Sequence, residues 1–226
     1  MTPTYDPVWD EHYAGGAGCR YPWDSVVTFV FRHRPQDKQA NDTKLLEVGC
    51  GLGSNLQFAA TEGFQVSGLD ASDDAIRRAT SIFKQEGLSA NLKVGNFTSL
   101  PFENKAFDMV IDRAALTCCG QSALALAIEE IYRVLKPGGK FFFTPYSQDH
   151  TSYRAGSAGD DGVVININGG SLVGVGQICF ASKNSVEVLF NDAKKWRIES
   201  MMHIVKTDVV ANNDQHAEWH IVVQRL

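Results

Sequence analysis

The sequence lacks most of the features that mark specialised protein classes. Its five cysteines are odd in number, and no two form a C-x-x-C pair. That argues against a disulfide framework or a thiolate zinc site, and points to reduced thiols in a cytoplasmic setting. No stretch approaches the roughly 18 unbroken apolar residues of a membrane-spanning helix. The opening run MTPTYDPVWDEHY has neither the basic start nor the apolar stretch of a secretory signal. Lysine and arginine together number 21 against 26 acidic residues, a net charge of −5 with no long basic run. Such a surface has no electrostatic attraction for nucleic-acid phosphates or anionic lipid. Neither nucleic acid nor membrane is therefore expected as a partner. A small-molecule substrate is, with the protein a monomer or homodimer. No internal repeat is present.

What is there is an ordered alternation. The 226 residues suit one domain able to bury a full core. From Lys44 onward, short apolar strands alternate with amphipathic helices. Strands are expected at Lys44–Cys50, Gln65–Asp70, Asn91–Gly95, Phe107–Arg113 and Lys140–Tyr146. Helices are expected at Asp24–Arg32, Ser54–Glu62, from Ser72 to Gly87, and Ser122–Leu135. Ser72 is placed to cap the third of these, with Ile76, Ala79 and Phe83 as its buried stripe. Pro137-Gly138-Gly139 breaks the chain after the fourth. The β–α–β order implies a doubly wound α/β fold with a mainly parallel sheet. Ser147–Ala181, rich in Gly, Ser, Asp and Asn, is too long for a bare connection and is expected to be a substrate loop or lid. Ser182 is placed to cap a further short helix, and strands near Trp196–Lys206 and Glu218–Arg225 are expected to form an antiparallel edge.

Two features carry chemistry. In LLEVGCGLGSN a buried strand runs into Gly49, Gly51 and Gly53 and then into a helix. Such a loop lets a ligand reach the backbone beside unpaired helix N–H groups. Asp70 ends the next strand, about twenty residues on, where a carboxylate can grip both hydroxyls of a ribose. These two leave the nucleotide open. Dinucleotide sites use G-x-G-x-x-G, whereas the spacing here is G-x-G-x-G, with Asn55 and Leu56 following.

LEVGCGLGSN, GLDAS, VGNFTSLPFENKAFDMVIDRAAL and EEIYRVLKPGGKFFF, in that order, resemble the successive motifs of the class I S-adenosylmethionine (SAM)-dependent methyltransferases. The likeness covers Lys44 to about Tyr146, and the closing WHIVVQRL resembles the last strand of that fold. The resemblance implies a Rossmann-like, doubly wound, seven-stranded sheet in the order 3-2-1-4-5-7-6 with strand 7 antiparallel. It implies one domain: residues 1–42 a helical cover, 43–146 the SAM-binding core, 147–181 the loop or lid, and 182–226 a helix and the last strands.

It also implies roles. Glu47 would orient the loop or approach the methionine amino group, with Gly49, Gly51 and Gly53 passing beneath the cofactor. Asp70 would bind ribose, and Ala71 would pack on adenine. Asn96 and Phe97 stand where the family has an acidic and an apolar residue. Asn96 departs from that pattern, and its amide can accept the adenine amino hydrogen without charge. Asp112 would face the methionine amino group and the substrate.

Methyl transfer to oxygen or nitrogen often needs a general base. Related sequences carry a His after the fourth strand, where this chain has Leu116-Thr117-Cys118-Cys119. His150, just beyond the fifth strand, is the substitute expected from position. His12, Tyr13, Tyr21 and Trp23 are expected over the cofactor. His216 and His220 share a strand face but are expected as surface or core residues, so no metal is expected. Cys118 and Cys119 are expected to be buried and inert.

With no Asp/Asn-Pro-Pro-Tyr run, the expected activity is methyl transfer to an O or N atom of a small molecule, in a sugar or secondary-metabolite pathway. A non-catalytic SAM-binding subunit or sensor, a nicotinamide-dependent oxidoreductase and a protein methyltransferase stand as alternatives.

Overall fold

The computed structural model describes residues 4–16 and 18–226. Met1–Pro3 and Ala17, part of the expected helical cover, lie outside the described residues. In chain order the helices are α1 (Val8–Ala14), α2 (Asp24–His33), α3 (Ser54–Thr61), α4 (Asp73–Gln85), α5 (Gln121–Val134), α6 (Thr151–Arg154) and α7 (Lys183–Leu189). The strands are β1 (Lys44–Val48), β2 (Gln65–Asp70), β3 (Asn91–Val94), β4 (Phe107–Asp112), β5 (Leu135–Phe143), β6 (Ser157–Ala158), β7 (Val164–Ile165), β8 (Trp196–Asp208) and β9 (Asp214–Arg225).

Seven strands form one sheet in the order β3-β2-β1-β4-β5-β9-β8. The first five are parallel, and β9 runs antiparallel between β5 and β8. Counted within this sheet, β8 is sixth and β9 seventh, so the order is the expected 3-2-1-4-5-7-6. Every residue of β4 is buried, because helices cover both faces. On one face, α2, α3 and α4 bring Phe29, Leu56 and Phe83 against Leu45, Ile111 and Phe142. Phe29 stacks on Phe142 with ring centroids 5.0 Å apart. On the other face, α5 and α7 bring Ile128, Ile131 and Val186 against Leu46, Val110 and Phe141. Each such side chain, fully buried, is worth about 1.5–3 kcal/mol. Ser72 caps α4 through a bond from Ala75 N–H, and Ser182 caps α7 in a capping box with Ser185.

The structure departs from the sequence reading at four places. A second N-terminal helix, α1, precedes α2; it buries none of its residues fully, so no core stripe marks it. β5 starts at Leu135, ahead of Pro137, because Leu135 pairs with Phe107 before the register shifts. β8 and β9 extend past Lys206 and begin before Glu218. The polar run between them reads as loop, yet Lys206–His216 and Asp208–Asp214 pair across a turn with Asn212 and Asn213 at positive φ. The segment after β5, expected as a loop or lid, carries secondary structure of its own. It contains α6 and the β6–β7 pair around a core of Val164, Ile167, Leu172, Ile178 and Phe180.

The sheet's lower edge is pinned by Asp108. Its carboxylate accepts from Lys38 Nζ at 2.5 Å, Lys136 Nζ at 2.8 Å and Lys44 N–H at 2.9 Å. Burial works to raise its pKa, but the bonds from Lys136, Lys38 and Lys44 outweigh burial and hold it below the ordinary value. Asp108→Asn is expected to lose about 1–3 kcal/mol at neutral pH. A depressed carboxylate adds stability above its unfolded pKa, near ~4, and loses it as pH falls through the folded value. Urea denaturation of the two proteins should therefore show a gap at neutral pH that closes below about pH 3. A gap that persists unchanged in acid would show that Asp108 acts without its charge.

Candidate active site

The parallel strands β1, β2 and β4 end at one edge, and the residues just past their ends define a cleft. Val48 lies beside Asp112, and Glu47 beside Ile111 and Gly68, so the carboxylates of Glu47 and Asp112 reach that edge from adjacent strands. Past β1 the chain must turn tightly. Gly49 has φ +66°, and a Cβ there would sit 2.1 Å from Ala115 Cβ. Gly51 has φ +52°, and its Cβ would lie 2.7 Å from Tyr13 Oη. Gly53, left-handed at φ +76°, leads into α3.

The acids here satisfy their oxygens in different ways. Asp70 accepts from Gly51 N–H at 2.8 Å and Ser72 N–H at 2.9 Å, which locks the glycine loop to the end of β2. Glu47 accepts from Asn55 Nδ2 at 2.6 Å through one oxygen, and its Oε2 is buried without a partner. Asp112 accepts from Ala115 N–H at 3.0 Å and Leu116 N–H at 2.8 Å through Oδ1, and its Oδ2 is likewise orphaned. Burial pushes Glu47 up to about 8, against the bond from Asn55, and the nearby Asp112 adds to the rise. Burial pushes Asp112 up to about 7 despite its backbone bonds.

A cavity of about 160 Å³ lies over this edge. Gly49, Asp70, Ala71, Gly95, Phe97, Arg113 and Cys118 line it. Tyr5, Trp9 and Tyr13 of the N-terminal segment close it. That segment is tied down by Asp10 to Ser72 Oγ at 2.5 Å, Arg78 to the Tyr13 carbonyl, and His12 Nε2 to the Gly174 carbonyl at 3.0 Å. Tyr13 thus lines the cavity, whereas His12 does not. Trp23 lies over the Arg113 guanidinium at 4.0 Å, and Tyr21 is 72% exposed.

Of the expected site residues, Gly49, Asp70, Ala71 and Phe97 line the cavity, whereas Glu47, Gly51, Gly53, Asn96, Asp112 and His150 lie off its lining. Asn96 uses Oδ1 to accept from Thr98 N–H at 2.9 Å and Thr98 Oγ1 at 2.8 Å, and its Nδ2 donates to Thr4 Oγ1. It shapes the turn that presents Gly95 and Phe97. His150 is buried at the start of α6. Its Nδ1 accepts from Ser152 N–H at 3.0 Å, and its Nε2 lies 3.2 Å from Ser171 Oγ. Burial pushes it down to about 4, with His216 nearby adding to the fall. Cys118 lines the cavity, but burial pushes its thiol up to about 12, which leaves it un-ionised.

The sequence reading missed Asn55 and Arg113. Asn55 accepts from Trp23 N–H at 3.0 Å while donating to Glu47, joining α2 to the carboxylate. Arg113 pairs with Glu218 at 2.9 Å, and both side chains are buried. The only sequence signal for either was position: one residue into a helix after the glycine loop, and one past Asp112.

Residues 45–139 match the family model described as a methyltransferase domain. The segment is thus similar to methyltransferase domains, and the chain shares its fold with solved SAM-dependent methyltransferases. Among curated relatives, a sterol 24-C-methyltransferase of Neurospora crassa is 37% identical over 54% of this chain and 34% of its own length. A sarcosine/dimethylglycine N-methyltransferase of Aphanothece halophytica is 35% identical over 45% of this chain and 37% of its own. The matches span about two fifths or less of these relatives' length. Among solved structures, a SAM-dependent methyltransferase of Methanosarcina mazei superposes with TM-score 0.70 at 24% identity, over 87% of this chain and 97% of that one. A 1,6-didemethyltoxoflavin-N1-methyltransferase of Burkholderia thailandensis, solved with its substrate and S-adenosylhomocysteine, gives 0.66 at 14% identity, over 97% and 83%.

The half-satisfied carboxylates make a stability prediction. A carboxyl whose folded pKa is raised costs stability as pH climbs from its unfolded toward its folded value. Glu47→Gln keeps the acceptor for Asn55 and removes that cost. It is expected to raise Tm at pH 8 by about 2–4 °C or more, with little gain at pH 4. A lower Tm at pH 8 would mean that ionised Glu47 is stabilised by groups other than Asn55.

Proposed function

We propose that the protein transfers a methyl group from SAM to an oxygen or nitrogen of a small molecule, in a sugar or secondary-metabolite pathway. The observation that carries the reading is the pair of buried, orphaned carboxylate oxygens of Glu47 and Asp112, near the ends of the adjacent strands β1 and β4. Two acids with spare acceptor capacity suit a ligand carrying an ammonium and a sulfonium charge. They do not suit a dinucleotide pyrophosphate, and the Gly51 N–H, a donor of the kind that phosphates take, already serves Asp70. Asp70 would hold the ribose hydroxyls, Ala71 and Phe97 the adenine, and Glu47 and Asp112 the methionine ammonium group. Asn96 would support the adenine end through the turn that it braces.

When bound, SAM supplies an activated methyl group on a positive sulfur. The chain's own part is alignment and the exclusion of water. Tyr5, Trp9 and Tyr13 close the cavity from above, and Arg113 and Cys118 bound the end from which an acceptor would approach. Relatives named for carbon and nitrogen acceptors show how widely the shared core is used, so acceptor choice falls to residues beyond it. We place the protein in the cytoplasm, in keeping with five free cysteines. Among the described residues, no helix is long and apolar enough to cross a membrane.

SAM or S-adenosylhomocysteine at about a hundred times its dissociation constant should stabilise the fold by roughly 2.7 kcal/mol, while NAD should not. A shift with NAD alone would overturn the reading. Asp70→Ala should weaken SAM at least about tenfold in calorimetry, the loss of one charge-assisted bond. SAM affinity should also tighten as pH rises through about 7 to 8, where Asp112 and Glu47 give up their protons. A flat profile would remove the two acids from the binding step.

A further inference from the structure

His216, Glu218 and His220 stand at alternate positions of β9 and share one face. Because β9 runs against β5, its first half overhangs the edge where the parallel strands end, with Tyr146 bridged to Glu218. Glu218 is 4% exposed. It accepts from His220 Nε2 at 2.7 Å, from Arg113 Nη2 at 2.9 Å, and more weakly from His216 Nε2 at 3.4 Å. Burial favours the neutral acid, but the bonds from His216 and His220 and the charge of Arg113 outweigh it and keep Glu218 ionised. The group does not form a metal centre among the described residues. Arg113 also lines the cavity, so the cluster is joined to it through the Arg113–Glu218 pair.

We propose that His216 is the general base of the transfer, oriented by Glu218, and that the acceptor is an alcohol, phenol or amine that must lose a proton. The inference rests on the methyl-transfer reading above. An ionised carboxylate can only accept hydrogen bonds, so an imidazole bonded to it through Nε2 carries its proton there. Nδ1 is then the basic nitrogen, and the carboxylate steadies the imidazolium that forms. Of the two imidazoles, His220 is the more enclosed, at 14% side-chain exposure, and lies edge-on to Phe142 at 5.6 Å. His216 keeps 31% and lies edge-on to Tyr146 at 5.8 Å and His150 at 5.2 Å. It also lines a cleft of about 690 Å³ between the β8–β9 hairpin and Gly170–Ser171.

In the step proposed, the acceptor's heteroatom–hydrogen bond breaks and its proton passes to Nδ1 of His216. The heteroatom–carbon bond forms as the methyl–sulfur bond breaks, and the pair of electrons stays on sulfur. The cation charge moves from sulfonium to imidazolium, and solvent later takes the proton. Glu218 is the positioning residue, and Arg113 and His220 hold it. The other charged or titratable groups around His216 are Tyr146, His150, its cross-strand partner Lys206, and Asp208 and Asp214 along the cleft.

The test uses the full chain with calorimetry for SAM and methyl-transfer assays on a panel of catechols, phenols of graded acidity, alcohols and amines. His216→Gln should bind SAM as the unaltered chain does but lower kcat at least tenfold and lose the acid limb of the kcat–pH profile. Its deficit should shrink for the more acidic phenols, which need less help in losing a proton. Glu218→Gln, which keeps an acceptor, should shift that limb to lower pH, because the imidazolium loses its carboxylate. Failure to bind SAM at all would sink the methyl-transfer reading itself. With SAM bound, three results would overturn the base alone: equal kcat for His216→Gln, transfer only to atoms with no proton to lose, or no transfer to any member of the panel.

Discussion

Desolvation of carboxylates is the constraint on which this structure turns. Asp70, Glu47, Asp112 and Glu218 are all buried at or near the edge where the parallel strands end. A buried carboxylate must be given donors or must take a proton. The chain does this in three ways. Asp70 is braced by two backbone N–H groups, and its geometry holds the loop in place. Glu218 is ion-paired and fully engaged, and remains charged. Glu47 and Asp112 are left half-satisfied, and their pKa values rise accordingly. The deficit at that last pair sits where the proposed cation would bind, and a positive ligand there would relieve it.

The N-terminal segment ties these acids together. The backbone N–H of Trp23 fixes Asn55, and Asn55 fixes one oxygen of Glu47, which leaves the other oxygen free. The Trp23 ring also covers the Arg113 guanidinium, and Arg113 holds Glu218. The start of α2 therefore bears on both the cofactor carboxylate and the acceptor-side carboxylate. A lesion at Trp23 would be felt at both ends of the site.

Most of the residues that frame the cleft were legible because their signals are local. A strand running into three glycines, and an acid at the end of the next strand, need only a few adjacent residues to be read. The sheet order followed from motifs in sequence order. The acceptor half was hidden because its contacts are distant in the chain. Arg113 meets Glu218 more than a hundred residues on, and nothing near either residue announces the other. Asn55 was read only as a departure from dinucleotide spacing, though it is the donor that orients Glu47. His150 stood at the right edge by position, but it starts a helix, and the N–H of Ser152 claimed its Nδ1. The polar run between β8 and β9 looked like loop because cross-strand pairing leaves no imprint on composition.

The seventh strand explains how a base can be supplied from an unexpected place. In the parallel strands only the last residue or two reach the functional edge, so each contributes few side chains there. β9 enters from the opposite direction and is longer than its neighbour β5, so its first turns of pleat stand above the edge. The period of two then delivers every second residue to the same side. Placing a carboxylate between two imidazoles on that side gives one acid two possible partners, and Arg113 from β4 keeps it ionised. The loop after β4, relieved of supplying a histidine, is instead packed tightly. Leu116 and Cys119 are fully buried, and Asp112 caps the turn. On the proposed reading, a proton acceptor on β9 would leave the β4 loop to the cofactor, and acceptor chemistry would be set by a strand outside residues 45–139.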